Sequence, residues 1–416
     1  MPLLSKEKDI YPIREQHRIF DEILKDRLAN LMPRLLKECC VDMWLVMCRE
    51  YNEDPIFKTL VPSLVRTAGR LSCLIFSLDQ NGQYEALNLS VPDPQLSSSY
   101  IHCYNPKEQN QFDAIAQAVN ARNPRRIAVN ISEKCAQADG LTKQLYDQLY
   151  ACLGDRVVAD DSIAIRWLET RTARELELYP EIYRIAMDIQ REAYSSAVIT
   201  PGITTTTDVE YYIMQRISDM GLEPWFSPDV DVQRKGSPVQ RMMGVVIEKG
   251  DLLHTDMGIT YLGLNTDSQR LAYVLRDGET EVPAGLLAGF KRANRFQDIV
   301  RENYVEGKTG NEIFFAAMEQ GKAEGLRPML YTHPIGFYGH GAGPTIGLYS
   351  NQGFVPGRGE CRLYPDTCYA LELNTTDSVP EWDNQDVCYM LEETIVYTGG
   401  KTYYLDNDRD KIIVIG

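Results

Sequence analysis

The stretch from Gly250 to Arg270, GDLLHTDMGITYLGLNTDSQR, constrains this chain more than any other. Asp256 and Asp267 stand on segments of alternating character, with Thr260, Tyr261, Leu262 and Gly263 between them as the reversal. A hairpin centred on Tyr261 and Leu262 sets Asp256 directly opposite Asp267, with Cβ atoms ~5 Å apart on one face. Like charges so placed destabilise a hairpin unless a cation lies between them, and hard divalent ions take carboxylate oxygens. Taken alone, the stretch also reads as a polar, solvated hairpin.

The later sequence holds a second pair of acids, Glu372 in YALELN and Glu392 in YMLEETIVYT. Strand parity puts Glu372 with Ala370 and Asn374, away from Tyr369, Leu371 and Leu373, and turns Glu392 away from Leu391 and Ile395. An unpaired buried charge is costly, so four such acids require compact positive charge. Two helical segments precede each pair. In the first half, Leu178, Ile182, Ile185, Ile189 and Ala193 form one apolar stripe. A turn at Pro201-Gly202 follows, then a helix opened by a Thr207/Glu210 capping box and closed by Gly221. In the second, a helix over 285–303 precedes another opened by Thr309 and Glu312. The echo predicts a duplicated helix-helix-sheet unit with the acids meeting near a pseudo-twofold axis.

At 416 residues the chain is long enough for two or three domains. Residues 1–165 read as an α/β domain and 166–416 as a second, α+β domain. Phe20, Leu24, Leu28, Leu31 and Leu35 keep helical spacing, with Pro33 expected to separate two helices. MWLVMC (43–48), CLIFSL (73–78), YEALNL (84–89) and RIAVNI (126–131) read as strands, with Asn81-Gly82 a hairpin signal. His17 and His102 lack acids or cysteines at ligand spacing and read as structural. The formal net charge of -16 argues against a nucleic-acid partner. No apolar run approaches the ~18 residues of a membrane span, and the N-terminus lacks a signal-peptide core, so a cytoplasmic chain with no membrane partner is expected. The ten cysteines, without CxxC pairs, read as reduced thiols.

These residues resemble the pita-bread metallohydrolases, which include aminopeptidase P, prolidase, methionine aminopeptidase and creatinase. The family pattern GD-x-x-x-x-D-x-G followed by D-x-x-R is matched by Gly250, Asp251, Asp256, Gly258, Asp267 and Arg270. Leu371-Glu372 and Leu391-Glu392-Glu393 look like the late I-E and I-E-D elements. The resemblance covers roughly residues 165–416; the N-terminal part is similar to a creatinase-type domain in size and pattern.

The resemblance implies two divalent ions, manganese first with cobalt, iron or zinc as alternatives. Asp256 would bind one, Glu372 the other, and Asp267 with Glu392 both. It implies a histidine ligand too, and two registers are open. GHGAG against the family's GHGIG makes His340 the ligand, the assignment expected here. HGAGPTIGLYSNQ against HG-x-G-H-x-I-G-L-x-x-H-E instead puts Pro344 at the ligand position, makes His340 substrate-facing and puts Asn351 where a second catalytic histidine belongs. In neither register does a histidine follow the ligand by seven residues.

His254 shares a strand face with Asp256 and is read either as a proton-handling group or as hydrogen-bonded within the sheet. His333 is read as substrate-facing. Glu372 is the expected base, and Arg270 is expected to pair with a ligand carboxylate. The implied activity is that of a dinuclear exopeptidase of the Xaa-Pro aminopeptidase type, in which a metal-bridged water attacks the N-terminal peptide bond. Creatinase-like hydrolysis of a small amide and a silent binding module are the alternatives. A homodimer is implied by resemblance only.

Overall fold

The computed structural model describes residues 4–79 and 81–416. It divides into two units, Ile13–Thr172 and a second made of the segment up to Pro12 with Ala173–Gly416. The boundary expected at 165/166 falls inside the helix Ser162–Glu169. Residues 4–12 join the second unit through hydrogen bonds: Leu4 N–H donates to Glu192 (3.1 Å) and Tyr11 N–H to the Tyr261 hydroxyl (2.8 Å). Asp9 pairs with Arg184 at 3.0 Å.

In the first unit the strands are β1 (Met43–Arg49), β2 (Leu71–Leu78), β3 (Tyr84–Asn88), β4 (Ile101–His102), β5 (Ile127–Val129) and β6 (Val157–Ala159). They form one sheet in the order β4-β3-β2-β1-β5-β6. Leu45, Met47, Ile75 and Val129 pack against Ile115 and Val119 of the helix Gln111–Arg122 and Leu145 and Leu149 of Lys143–Leu153. The expected hairpin forms, with Leu78 paired to Tyr84 and Gly82 at φ 76°. Pro33 does not break its helix. Ile13–Asp26 runs through a π-turn, Arg27–Leu31, into Met32–Glu38, where Pro33 stands in the first turn. Proline's missing N–H costs little there.

The second unit carries two helix pairs, Ala173–Ala193 with Thr206–Met220 and Ala284–Glu302 with Gly310–Ala323. Thr309 and Glu312 form the expected capping box, and Gly221 closes its helix at φ 72°. The box of the earlier helix is Thr205 with Asp208 rather than Thr207 with Glu210, whose carboxylate instead accepts from Val230 N–H at 3.1 Å.

The strands here are β7 (Glu223–Pro224), β8 (Asp229–Gln233), β9 (Leu252–Met257), β10 (Ile259–Tyr261), β11 (Leu264–Asn265), β12 (Ser268–Val274), β13 (Pro328–Leu330), β14 (His333–Ile335), β15 (Thr367–Val379), β16 (Gln385–Thr398), β17 (Lys401–Tyr404) and β18 (Ile413–Ile415). The main sheet runs β13-β15-β16-β12-β9-β8, with β14 also beside β15, β17 beside β16 and β18 beside β12. One face of β15 and β16, with Tyr369, Leu371, Leu373, Leu391 and Ile395, packs into a core with Phe290, Phe296 and Phe314 of the second helix pair. Period-two alternation turns Glu372 and Glu392 to the opposite face. This is the duplicated α+β architecture that the sequence pattern predicts. No helix of the described residues is long and apolar enough to cross a membrane.

Candidate metal centre

The centre is a row of residues directly opposite one another across five strands. Asp229 pairs with Asp256, Asp256 with Gln269, Gln269 with Glu392, and Glu392 with Glu372. Opposed residues share a face, so the row places four acids and one amide side by side. The expected pairing of Asp256 with Asp267 is corrected by two residues. Leu262 (φ 52°) and Gly263 (φ 79°) form a two-residue turn with both central residues at positive φ, the type I′ geometry that matches strand twist. Tyr261 therefore pairs with Leu264, and Asp256 with Gln269. A slip of two preserves the face, so Asp267 still joins the cluster, two residues along the strand from Gln269.

Carboxylate oxygens of Asp256, Glu372 and Glu392 lie within 4.8 Å of one another, as do ligand atoms of Asp267, His333 and Glu392. Asp256 Oδ1, Asp267 Oδ1 and both Glu392 oxygens are buried without a hydrogen-bond partner. Burial pushes Asp256 up to about 6 and raises Asp267, Glu372 and Glu392 well above the carboxylate range, with mutual repulsion adding to it. Buried acids with orphaned oxygens fit a divalent cation, which would satisfy those lone pairs and offset the repulsion.

His333, not His340, enters this cluster. Its Nε2 lies 3.6 Å from Asp267 Oδ2 and 3.8 Å from Glu392 Oε1. Its Nδ1 faces the Pro334 carbonyl at 3.1 Å, so Nδ1–H donates there and the Nε2 lone pair points at the acids. Burial, with His340 beside it, holds His333 down at about 3, the neutral state that a metal ligand needs. His340 sits behind it, ring centroids 4.6 Å apart, and meets Trp225 edge-on at 5.2 Å. The sequence held a signal for this. Aligning THPIG, instead of GHGAG, with the family's GHGIG makes His333 the ligand and leaves His340 seven residues after it.

Gly258, the glycine of the D-x-G motif, has a packing reason. A Cβ there would meet Trp225 Nε1 at 2.1 Å and the Thr266 carbonyl at 2.3 Å. The same indole donates to Thr266 O at 2.8 Å and backs His340.

Arg270 does not pair with a ligand carboxylate. Its guanidinium lies 2.7 Å from Glu393 and donates to the carbonyls of Gln269 (2.8 Å) and Glu392 (3.2 Å). Tyr183 O–H donates to the same Glu393 at 2.7 Å. Arg270 thus fixes the backbone carrying Glu392 from the other side of the sheet. His254 stays within the sheet, Nδ1 facing Asp231 at 3.0 Å and Nε2 facing Gln269 Oε1 at 3.1 Å. Both His254 and Asp231 are buried. A cation that sequence reasoning missed, Arg358, stands beside both histidines, where its charge disfavours their protonation. It donates to the Gly341 carbonyl, and its Nε is buried without a hydrogen-bond partner.

The family model for Metallopeptidase family M24 matches residues 181–399. Among solved structures, an X-Pro aminopeptidase from Thermotoga maritima superposes with a TM-score of 0.64 at 18% identity, covering 92% of this chain and 99% of that one. An Xaa-Pro dipeptidase from Bacillus anthracis gives 0.61 at 15%, covering 96% and 99%, and the prolidase from Pyrococcus furiosus 0.56 at 16%, covering 90% and 98%. At these identities the likeness establishes a shared fold. No curated protein sequence matches the chain.

Proposed function

The chain belongs to metallopeptidase family M24, and from that premise we propose that it is a dinuclear metal-dependent exopeptidase of the Xaa-Pro aminopeptidase type. The observation that carries this reading is the approach of His333 Nε2 to Asp267 and Glu392 within an acid cluster that holds four buried carboxylate oxygens without hydrogen-bond partners. Asp256, Asp267 and Glu392 are the ligands proposed for one ion, and Asp267, His333, Glu372 and Glu392 for the other, with manganese first by the oxygen-rich donor set. When bound, such ions supply Lewis-acid charge to a scissile carbonyl and to an attacking water.

The chain's own residues do the rest. Glu372 takes the proton of the attacking water, because its carboxylate stands at the end of the acid row. His340 faces the substrate beside His333, held by the Trp225 edge. Arg270 and Glu393 hold Glu392 through its backbone.

The test is manganese-dependent release of the first residue from Xaa-Pro-Yaa peptides. Chelated protein is expected to be inactive and restored by Mn²⁺. Metal-loaded protein that leaves all such peptides intact refutes the reading.

A second reading, cleavage of Xaa-Pro dipeptides, is favoured by Arg358, a partly unpartnered cation beside the histidines that suits a free carboxylate one residue past the scissile bond. Under it, kcat/KM is higher for Xaa-Pro than for Xaa-Pro-Yaa, and Arg358→Met removes the difference.

A further inference from the structure

Between the proposed ligands Asp256 and Glu392, in the same strand row, stands an amide. Gln269 Nε2 donates to Asp256 Oδ2 at 3.2 Å and to Glu372 Oε1 at 2.7 Å, so one –NH₂ group spans acids assigned to different ions. Two carboxylates can accept only from the nitrogen end, which fixes the amide's orientation and turns Oε1 toward His254 Nε2 at 3.1 Å. His254 is held in turn by Asp231 at 3.0 Å. Asp231 is clamped by Arg241, with Nε donating at 2.8 Å and a terminal nitrogen at 2.7 Å. Asp231, His254 and Gln269 have no more than 3% of their surface exposed, whereas Arg241 reaches solvent. Strand pairing builds this line: Asp231 lies opposite His254 on the face that carries Asp229, Asp256 and Gln269.

We propose that Gln269 is a positioning residue that sets the spacing of Asp256 and Glu372, and that His254, Asp231 and Arg241 brace it from the protein surface. The inference rests on the dinuclear reading above. A carboxylate held by an outer hydrogen bond keeps one oxygen aimed and one lone pair free, and loss of such a partner typically lowers metal affinity by about 10–100-fold. Gln269 hydrogen-bonds Asp256 and Glu372, each assigned to one ion only, so both binding steps respond to its loss.

The experiment is calorimetric titration of the chelated full-length protein with Mn²⁺, together with thermal unfolding, for wild type, Gln269→Leu and Asp231→Asn. Leucine keeps the volume and donates nothing. Expected are two equivalents in wild type, both weakened about 10–100-fold in Gln269→Leu at a melting temperature within a few degrees of wild type, and both weakened less in Asp231→Asn. Electron paramagnetic resonance of the Mn²⁺ protein supplies a readout that fold stability alone does not move: at two added equivalents the coupled two-ion signal of wild type is reduced in Gln269→Leu in favour of free Mn²⁺. Two equivalents held as tightly as in wild type by Gln269→Leu overturn the proposal. Should that variant not fold, Asp231→Asn decides, and unchanged affinity there overturns the brace. A wild-type protein that takes up no Mn²⁺ instead defeats the underlying metal-centre reading.

Discussion

Replacing Asp256 with Asn should stabilise the metal-free protein and destabilise it relative to wild type once metal is added. The magnitude follows from the cluster. Burial raises the Asp256 pKa from 3.8 to about 6. At about 1.36 kcal/mol per unit this corresponds to ~3 kcal/mol of folding stability. A carboxyl whose folded pKa is raised costs nothing below pH 3.8, where both states are protonated; the cost grows between pH 3.8 and 6 and is complete above it. At pH 7 chelated Asp256→Asn should therefore unfold later than wild type by up to ~3 kcal/mol, an upper bound because neighbouring acids can take up part of the repulsion. Asn keeps the acceptor oxygen that Gln269 needs. In Mn²⁺ at a hundred times its Kd, wild type gains ~2.7 kcal/mol per site, and the variant, lacking a ligand, gains less. Chemical denaturation monitored by tryptophan fluorescence, with and without chelator, reads the crossing. A variant less stable than wild type in chelator would refute the claim that these acids are poised against one another.

His333→Ala should weaken Mn²⁺ binding by more than the ~10–100-fold that an outer partner costs, whereas His340→Ala should leave binding intact and lower kcat; titration and kinetics separate the two. Arg270→Met should cost ~3–5 kcal/mol of stability, because it leaves Glu393 buried with Tyr183 as its one remaining side-chain partner among the described residues, and melting curves measure this. In the first unit, Asp54 is buried, accepts from Asn130 (2.8 Å) and Ile56 N–H (3.0 Å), and is pushed by burial up to about 6. Its folded pKa is raised, so the unit should gain up to ~3 kcal/mol as pH falls from 6 to 4, and Asp54→Asn should flatten that slope in denaturation curves.

The four acids were legible because strand parity alone decides their face, and a register error of two residues leaves parity unchanged. The register itself was not legible: it depends on Leu262 adopting positive φ, which a non-glycine residue does rarely. The GHGAG motif drew the alignment to His340, whereas the structure puts His333, seven residues earlier, among the acids. Gln269, Asp231 and Arg241 gave no signal. Their partners lie across strands, and only the register, which the turn sets, brings an amide between two acids. Arg270 illustrates the same limit, since alternation turns it away from Gln269 and the acid cluster and toward Glu393.

The most direct test is an anomalous difference map from crystals grown with Mn²⁺. The account predicts two peaks inside the acid cluster, one bonded to His333 Nε2 and neither to His340. A peak on His340, or no peak among Asp256, Asp267, Glu372 and Glu392, would contradict it.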